Sequence, residues 1–324
     1  MISTFRHHSF GASAVAVVGA GGFLGINVAR YLATRVRELR CFGRRCSFPD
    51  ALQGFNWIVG DITDGQSVVK AIKGCDTVVH LAGASTPASA DIDIVADAQV
   101  NIVGTLKLLD SCVLAGVRRV IYISSGGTVY GIPSIVPTPE TAPTLPVTAY
   151  GVAKLAIENY LKVYKRLYGL DYRVLRVSNI YGPFQTAKKQ QGVVAAFLRR
   201  AVNGMPLEVW GDGKVVRDYI YVGDVVDAID RSISHEGDTR TFNIGSGTGV
   251  SLLEVIDVIE RALGNPLERI FSHGRPVDVP ISILDCAVAT HELGWRAQTG
   301  IVEGFAHTLD WARGNLMQQS PGHW

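Results

Sequence analysis

The 324-residue chain lacks any apolar run approaching the roughly 18 residues that a membrane-crossing helix needs. It also lacks an excess of charge of either sign, since 31 Lys and Arg stand against 29 Asp and Glu, a net charge of +2. So even a balance gives no footing for nucleic acid or an anionic membrane surface. Cysteine is sparse: Cys41, Cys46, Cys75, Cys112 and Cys286 are odd in number and no two have CxxC spacing. That argues against a disulfide framework and a zinc site, so no metal is expected. Internal repeats and low-complexity tracts are missing too. Residues 1–13 carry Arg6, His7 and His8 but no apolar core, which is unlike a secretory signal and points to a cytoplasmic protein.

What is present is an alternation of short β-branched runs with helical stretches. Strands are expected at Ala14–Val18, Glu38–Phe42, Asn56–Val59, Thr77–Leu81, Arg119–Ser124 and Tyr172–Val177. Between them lie helical patterns at Gly22–Thr34, Gln66–Lys73, about Asp91–Ala115 and Thr148–Leu167. Parallel strands need crossover connections, so the pattern predicts an α/β fold with a doubly wound, Rossmann-type parallel sheet. Near-continuous apolar strands such as Val15–Val18 fit a sheet covered on both faces. Beyond about residue 180 Gly, Pro and charge become denser, and helices at Val193–Asn203 and Leu252–Leu263 are separated by loops. We expect a dinucleotide-binding domain over 14–180. A smaller substrate-binding lobe is expected over 181–316, interleaved with the last strands of the sheet.

The first strand runs into Gly19-Ala20-Gly21-Gly22-Phe23-Leu24-Gly25, a GxxGxxG spacing at 19, 22 and 25. Between a strand and a helix, such glycines let backbone N–H groups approach a pyrophosphate, to which the helix N-terminus adds partial positive charge. NAD is usually held by a carboxylate at the end of the second strand. Here that place reads Cys41-Phe42-Gly43-Arg44-Arg45, with no acid, and the arginines would suit the 2′-phosphate of NADP. Asp61 and Ile62 follow the third strand, where an adenine edge would be met. Leu81 and Ala82 follow the fourth, where backbone lies against the cofactor.

Tyr150 and Lys154 are spaced i, i+4, one face of a helix. A lysine ammonium one turn from a tyrosine is expected to lower the phenol pKa, so that the pair exchanges a substrate hydroxyl proton near neutral pH. Ser124-Ser125-Gly126-Gly127-Thr128-Val129-Tyr130-Gly131 ends the fifth strand with several hydroxyls that could share the proton path.

These motifs, with Leu175–Pro183, Arg217–Asp224, Phe242–Gly247 and Leu293-Gly294-Trp295, resemble the extended short-chain dehydrogenases. The closest branch is the NAD-dependent epimerase/dehydratase family typified by UDP-glucose 4-epimerase, and the likeness runs from about residue 14 to about 314. The resemblance implies Tyr150 as base and Lys154 as its helper. It implies Asn179 against a sugar nucleotide, and Arg217 and Arg275 at its diphosphate, where a forked guanidinium suits phosphate. One departure stands out. The family's catalytic Ser or Thr lies four residues before the tyrosine of VYG, where this chain has Gly126. Ser125 or Thr128 would then supply the hydroxyl. The Asp-Glu pair of the dehydratases is replaced by Gly127-Thr128, which argues against dehydration.

The expected activity is therefore 4-epimerisation of a UDP-, dTDP- or GDP-hexose with NAD or NADP. The alternative is an NADPH-dependent 4-keto-sugar reductase, and a minor one is a non-catalytic dinucleotide sensor. The family resemblance further implies a homodimer, through the helices near Asp91–Ala115 and Thr148–Leu167.

Overall fold

The computed structural model describes residues 13–83, 87–186, 192–273 and 279–316. Its first half runs β1 (Ala14–Val18), α1 (Phe23–Leu32), β2 (Glu38–Gly43), β3 (Trp57–Val59), α2 (Gly65–Ile72), β4 (Thr77–His80) and the short α3 (Pro87–Ala90). It continues through α4 (Ile94–Ala98), α5 (Gly104–Ala115), β5 (Arg119–Ser125), α6 (Ala149–Tyr168), β6 (Asp171–Val177) and β7 (Asn179–Tyr181). Then follow α7 (Val193–Val202), β8 (Leu207–Trp210), β9 (Val216–Tyr221), α8 (Val222–Ser234), β10 (Thr241–Ile244) and β11 (Gly249–Ser251). Last come α9 (Leu252–Leu263), β12 (Arg269–Ser272), β13 (Ile281–Ser282), α10 (Ala287–Leu293) and α11 (Ile301–Leu316).

Seven parallel strands form the main sheet in the order β10-β6-β5-β4-β1-β2-β3. The order reverses direction between β1 and β4, and in open α/β sheets ligands bind outside the strand C-termini at that reversal. Strand β1 is buried along its whole length, as its uninterrupted apolar run requires. On one face Val15 and Val17 pack with Ile26 and Ala29 of α1 and Val225 and Ile229 of α8. On the other, Ala14, Ala16 and Val18 pack with Val68, Leu108 and Leu161 of α2, α5 and α6.

Elements of this unit also come from beyond residue 180: α8 covers the sheet, α10 adds Ala289 and Leu293 to the same core, and β10 is the seventh strand, in register with β6 from Thr241↔Val174 to Ile244↔Val177. A second sheet, β11-β9-β13 with β7 beside β9, and a β12–β8 pair build the remaining lobe over a separate core of α7, α9 and α11.

The long helix read at about Asp91–Ala115 is not uniform. Between α4 and α5 the backbone passes through a π-helical turn at Gln99–Val103. Such single turns bulge one residue outward and recur at functional sites. Contrary to the reading of the sequence, this stretch, Ile94–Ala115, is long and apolar enough by composition to cross a membrane. Its Leu108, Leu109 and Cys112 are instead buried against the sheet.

The candidate active site

A cleft of about 1210 Å³ opens over the C-terminal ends of β1, β2, β4 and β5. Its floor is the glycine turn. Gly19 has φ +92°, and a Cβ there would lie 2.6 Å from Ala82 N. A Cβ at Gly25 would lie 2.2 Å from Gly19 O, so this glycine lets α1 approach β1. Gly19, Gly22, Phe23 and Leu24 line the cleft, and so do Arg44, Asp61, Ile62, Leu81 and Ala82. Gly25, expected at the cofactor, does not; it supports the turn from behind. The turn has a second tight glycine that the GxxGxxG spacing passes over: a Cβ at Gly21 would stand 2.0 Å from Arg45 O. At Gly22 a Cβ would meet Gly19 O at 3.6 Å, an ordinary van der Waals contact, so packing within the protein does not require glycine there. Helix α1 starts there with no side-chain cap and no acid in its first turn, leaving its N–H groups for an anion.

Tyr150 and Lys154 stand on the first turns of α6, which Thr148 caps by accepting from Gly151 N at 3.2 Å. Both line the cleft. Lys154 Nζ donates to Ile123 O at 2.8 Å and lies 5.4 Å from the Tyr150 ring centroid, on its face. Burial pushes the Tyr150 phenol up to about 12, and the Asp97 carboxylate adds to the rise. The expected lowering by Lys154 is outweighed: desolvation dominates, and the ammonium donates to a backbone carbonyl. Burial likewise pulls Lys154 down to about 8, opposed by Asp97 and Glu158.

The hydroxyl segment is sorted by packing. Ser124 donates to Glu158 Oε1 at 2.5 Å and is buried away from the cleft. A Cβ at Gly126 would stand 2.5 Å from Leu284 Cδ1, so a side chain there requires Leu284 to shift. Ser125 and Thr128 both line the cleft, and Thr128 Oγ1 is buried without a hydrogen-bond partner among the described residues. Tyr130 of VYG is structural. It accepts from Arg176 Nη1 at 2.9 Å and donates to Asn243 Oδ1 at 2.7 Å.

Asn179 and Arg217 line the same cleft. Asn179 Nδ2 donates to Asp218 O at 3.1 Å, and Arg217 Nη1 to Val279 O at 2.5 Å. Strand alternation puts Arg217 and Tyr219 into the cleft and turns Asp218 inward. There its carboxylate accepts from Ser178, Ser246, Gly247 and Leu284 and ties β9 to the loops around it. Arg275 lies outside the described residues. The sequence reading missed Asn101, which the π turn carries into the cleft wall, and Asp97, which accepts from Asn101 Nδ2 at 2.7 Å. The available signal was two polar residues four apart on the inward side of an apolar helix. Among the described residues no group of three or more His, Cys, Asp or Glu could hold a metal ion.

Residues 15–245 match the family model of the NAD dependent epimerase/dehydratase family. The chain belongs to that family. It is 38% identical over 261 residues to a UDP-glucose 4-epimerase of Mycolicibacterium smegmatis, covering 80% of this chain and 83% of that one. The crystal structure of a UDP-glucose 4-epimerase with UDP-glucose from Thermotoga maritima superposes with a TM-score of 0.89 at 34% identity, covering 94% of this chain and 99% of that one. A Thermus thermophilus UDP-glucose 4-epimerase in complex with NAD gives 0.86 at 32%, covering 93% and 99%. This family member is an enzyme of the short-chain dehydrogenase type, and its cofactor is a nicotinamide adenine dinucleotide. The glycine turn and the uncapped α1 at the floor of the cleft fit that group.

Proposed function

We propose that the enzyme is a nucleotide-sugar 4-epimerase. The observation that carries this reading is one cleft holding three things together: the dinucleotide turn, the Tyr150–Lys154 pair with Ser125 and Thr128, and Asn179 with Arg217. A UDP-, dTDP- or GDP-hexose is the proposed substrate. Arg217 binds its diphosphate and Asn179 its sugar end. Arg275, by its place in the sequence, is proposed to join Arg217.

The bound nicotinamide supplies a hydride acceptor and donor and, when oxidised, a fixed positive charge. The protein does the rest. Tyr150 removes the proton from the C4 hydroxyl, with Ser125 or Thr128 hydrogen-bonding that oxygen. Burial holds the Tyr150 phenol up, so the phenolate is proposed to form only with cofactor and substrate in place, where the ammonium of Lys154 on the ring face and the positive charge the oxidised nicotinamide would supply both favour it. The 4-keto sugar turns in the cleft so that the opposite face of C4 would receive the hydride back, and Tyr150 returns the proton to the C4 oxygen. Nucleotide sugars are cytoplasmic metabolites, and the proposed site of action follows from them.

A reductase of nucleotide-4-keto sugars uses the same residues once, in one direction. One observation favours it: Arg44 and Arg45 beside the cleft with no carboxylate at the end of β2. A sensor has no use for an intact Tyr150–Lys154 pair.

The proposed partner in assembly is a second copy of the chain. Helix α6 leaves Val152, Tyr160, Val163 and Leu167 exposed at helical spacing, and the neighbouring Val95 and Val103 are exposed as well. Light scattering on the purified protein tests this: a monomeric mass refutes it.

The deciding assay offers a panel of UDP-, dTDP- and GDP-hexoses with catalytic NAD or NADP and follows the sugar by NMR. A C4 epimer without net cofactor consumption is expected. Stoichiometric NADPH oxidation with a supplied 4-keto sugar, and no epimer from any hexose, replaces the epimerase by the reductase.

A further inference from the structure

Lys154 stands in the cleft wall without a close counter-ion. Its ammonium hydrogen-bonds a neutral acceptor, Ile123 O at 2.8 Å. The carboxylate one helical turn on, Glu158, is taken by Arg176 at 2.7 Å. An ammonium set among protein atoms tends to lose its proton, and burial pulls Lys154 down to about 8. Two neighbours oppose that loss.

The first is an aromatic ring on β5. Lys154 Nζ lies between two ring faces, 5.0 Å from the centroid of Tyr122 and 5.4 Å from that of Tyr150. Both fall within the roughly 6 Å over which a ring face attracts a cation. Tyr122 is 1% exposed, and its hydroxyl has no hydrogen-bond partner among the described residues, so what it offers is the ring. The second is the carboxylate of Asp97, buried on α4 where that helix packs on α6. Asn101 Nδ2 donates to it at 2.7 Å, and a bond from a neutral donor leaves the carboxylate its charge. That charge supports the Lys154 ammonium more than Glu158 does, and it also acts on Tyr150.

We propose that Asp97 and Tyr122 are positioning residues of the acid–base pair: the buried carboxylate and the ring together keep Lys154 an ammonium on the face of Tyr150. Asp97 and Lys154 sum to zero charge, so a Tyr150 phenolate is uncompensated until a cation enters the cleft. The other ionisable groups that meet α6 do not replace Asp97. Tyr164 donates to Asp110 of α5, and Lys165 pairs with Asp171 at the start of β6. Asp91 accepts from Ala149 N at the exposed start of the helix, and His80 on β4 becomes cationic only below about 3. Helix α3 and the π turn contain no ionisable residue.

This inference rests on the acid–base reading of Tyr150 and Lys154, and two measurements on the full chain keep them apart. Competitive acetylation across a pH series, read by peptide mass spectrometry, gives the Lys154 midpoint without turnover. In the unsubstituted protein it is expected at about 8. Asp97→Asn and Tyr122→Leu should each lower it by about half a unit or more, and Tyr122→Phe, which keeps the ring, should restore it. The second measurement is kcat/KM against pH. Asp97→Asn should move both limbs to lower pH, because the carboxylate raises Tyr150 and Lys154 alike. Tyr122→Leu should move the alkaline limb. Lower rates with every inflection in place mean a merely structural role and overturn the proposal. So does a Lys154 midpoint that Asp97→Asn leaves unmoved; that variant is isosteric and decides even where Tyr122→Leu does not fold. Midpoints that move as expected beside an unmoved pH profile uphold the charge assignment and overturn the acid–base reading of the pair.

Discussion

Glu158 and Arg176 form a buried, two-pronged ion pair directly behind the hydroxyl segment, with Arg176 Nη2 2.7 Å from Glu158 Oε2 and Nε 3.2 Å from both oxygens. Glu158 stands one helical turn beyond Lys154 and also accepts from Ser124, so the pair fixes α6 to the ends of β5 and β6. Removing one partner strands the other charge. Arg176→Met is expected to cost about 3–5 kcal/mol in urea unfolding, and the double variant Glu158→Leu, Arg176→Met substantially less. Equal losses for single and double variants would show that the uncompensated charge is not the cause.

Tyr150→Phe should lower kcat by about 10²- to 10⁴-fold while the dissociation constant for the cofactor stays within about twofold. Near-normal turnover refutes the proton role. Lys154, held at about 8, is charged below that value and loses its charge as the pH rises through it. The free-enzyme profile, kcat/KM against pH, should therefore fall above about pH 8. Any residual activity of Lys154→Met should lack that inflection.

Ser125→Ala and Thr128→Val separate the two hydroxyls in the cleft wall. The variant lacking the working hydroxyl is expected to lose at least about tenfold in kcat, about 1.4 kcal/mol. If neither does, the hydroxyl displaced by Gly126 is supplied from elsewhere. Gly126→Ser should not restore it, because its side chain meets Leu284.

Gly21 and Gly22 are adjacent but should respond differently. Gly21→Ala drives a Cβ to 2.0 Å from Arg45 O and should lower Tm by several degrees with or without cofactor. Gly22→Ala meets no protein atom closer than 3.6 Å, so Tm should hold while cofactor affinity drops. The reverse pattern would mean that Gly22 does not face the pyrophosphate.

His80 offers a stability test. Burial, with Lys154 adding, holds it at about 3, against its ordinary 6.5. The unfolded chain takes up this proton first, so stability is full above pH 6.5 and drains as the pH falls toward 3, by roughly 1.4 kcal/mol per unit from this group. His80→Gln should flatten the unfolding free energy against pH over that window. An unchanged slope would place the acid sensitivity in other groups.

The strands, the phosphate turn and the Tyr150–Lys154 pair were legible in the sequence because each is local. A buried parallel strand must be apolar throughout, a tight turn must be glycine, and two residues four apart on a helix must share a face. The family motifs extended this to Asn179 and Arg217. What only the tertiary structure decided was set by contacts between distant segments. The π turn that carries Asn101 to the cleft packs against α6, a contact between segments some fifty positions apart, and only the polar spacing of Asp97 and Asn101 hints at it in the sequence. That Ser124 is spent on Glu158, and that Gly126 is closed by Leu284, depends on β6, α6 and the loop after β13 meeting at one place. The pKa of Tyr150 likewise does not follow from spacing alone. The i, i+4 rule gives neighbourhood, but the phenol's pKa is set by how far the assembled fold removes it from water and by a carboxylate, Asp97, more than fifty positions earlier in the chain.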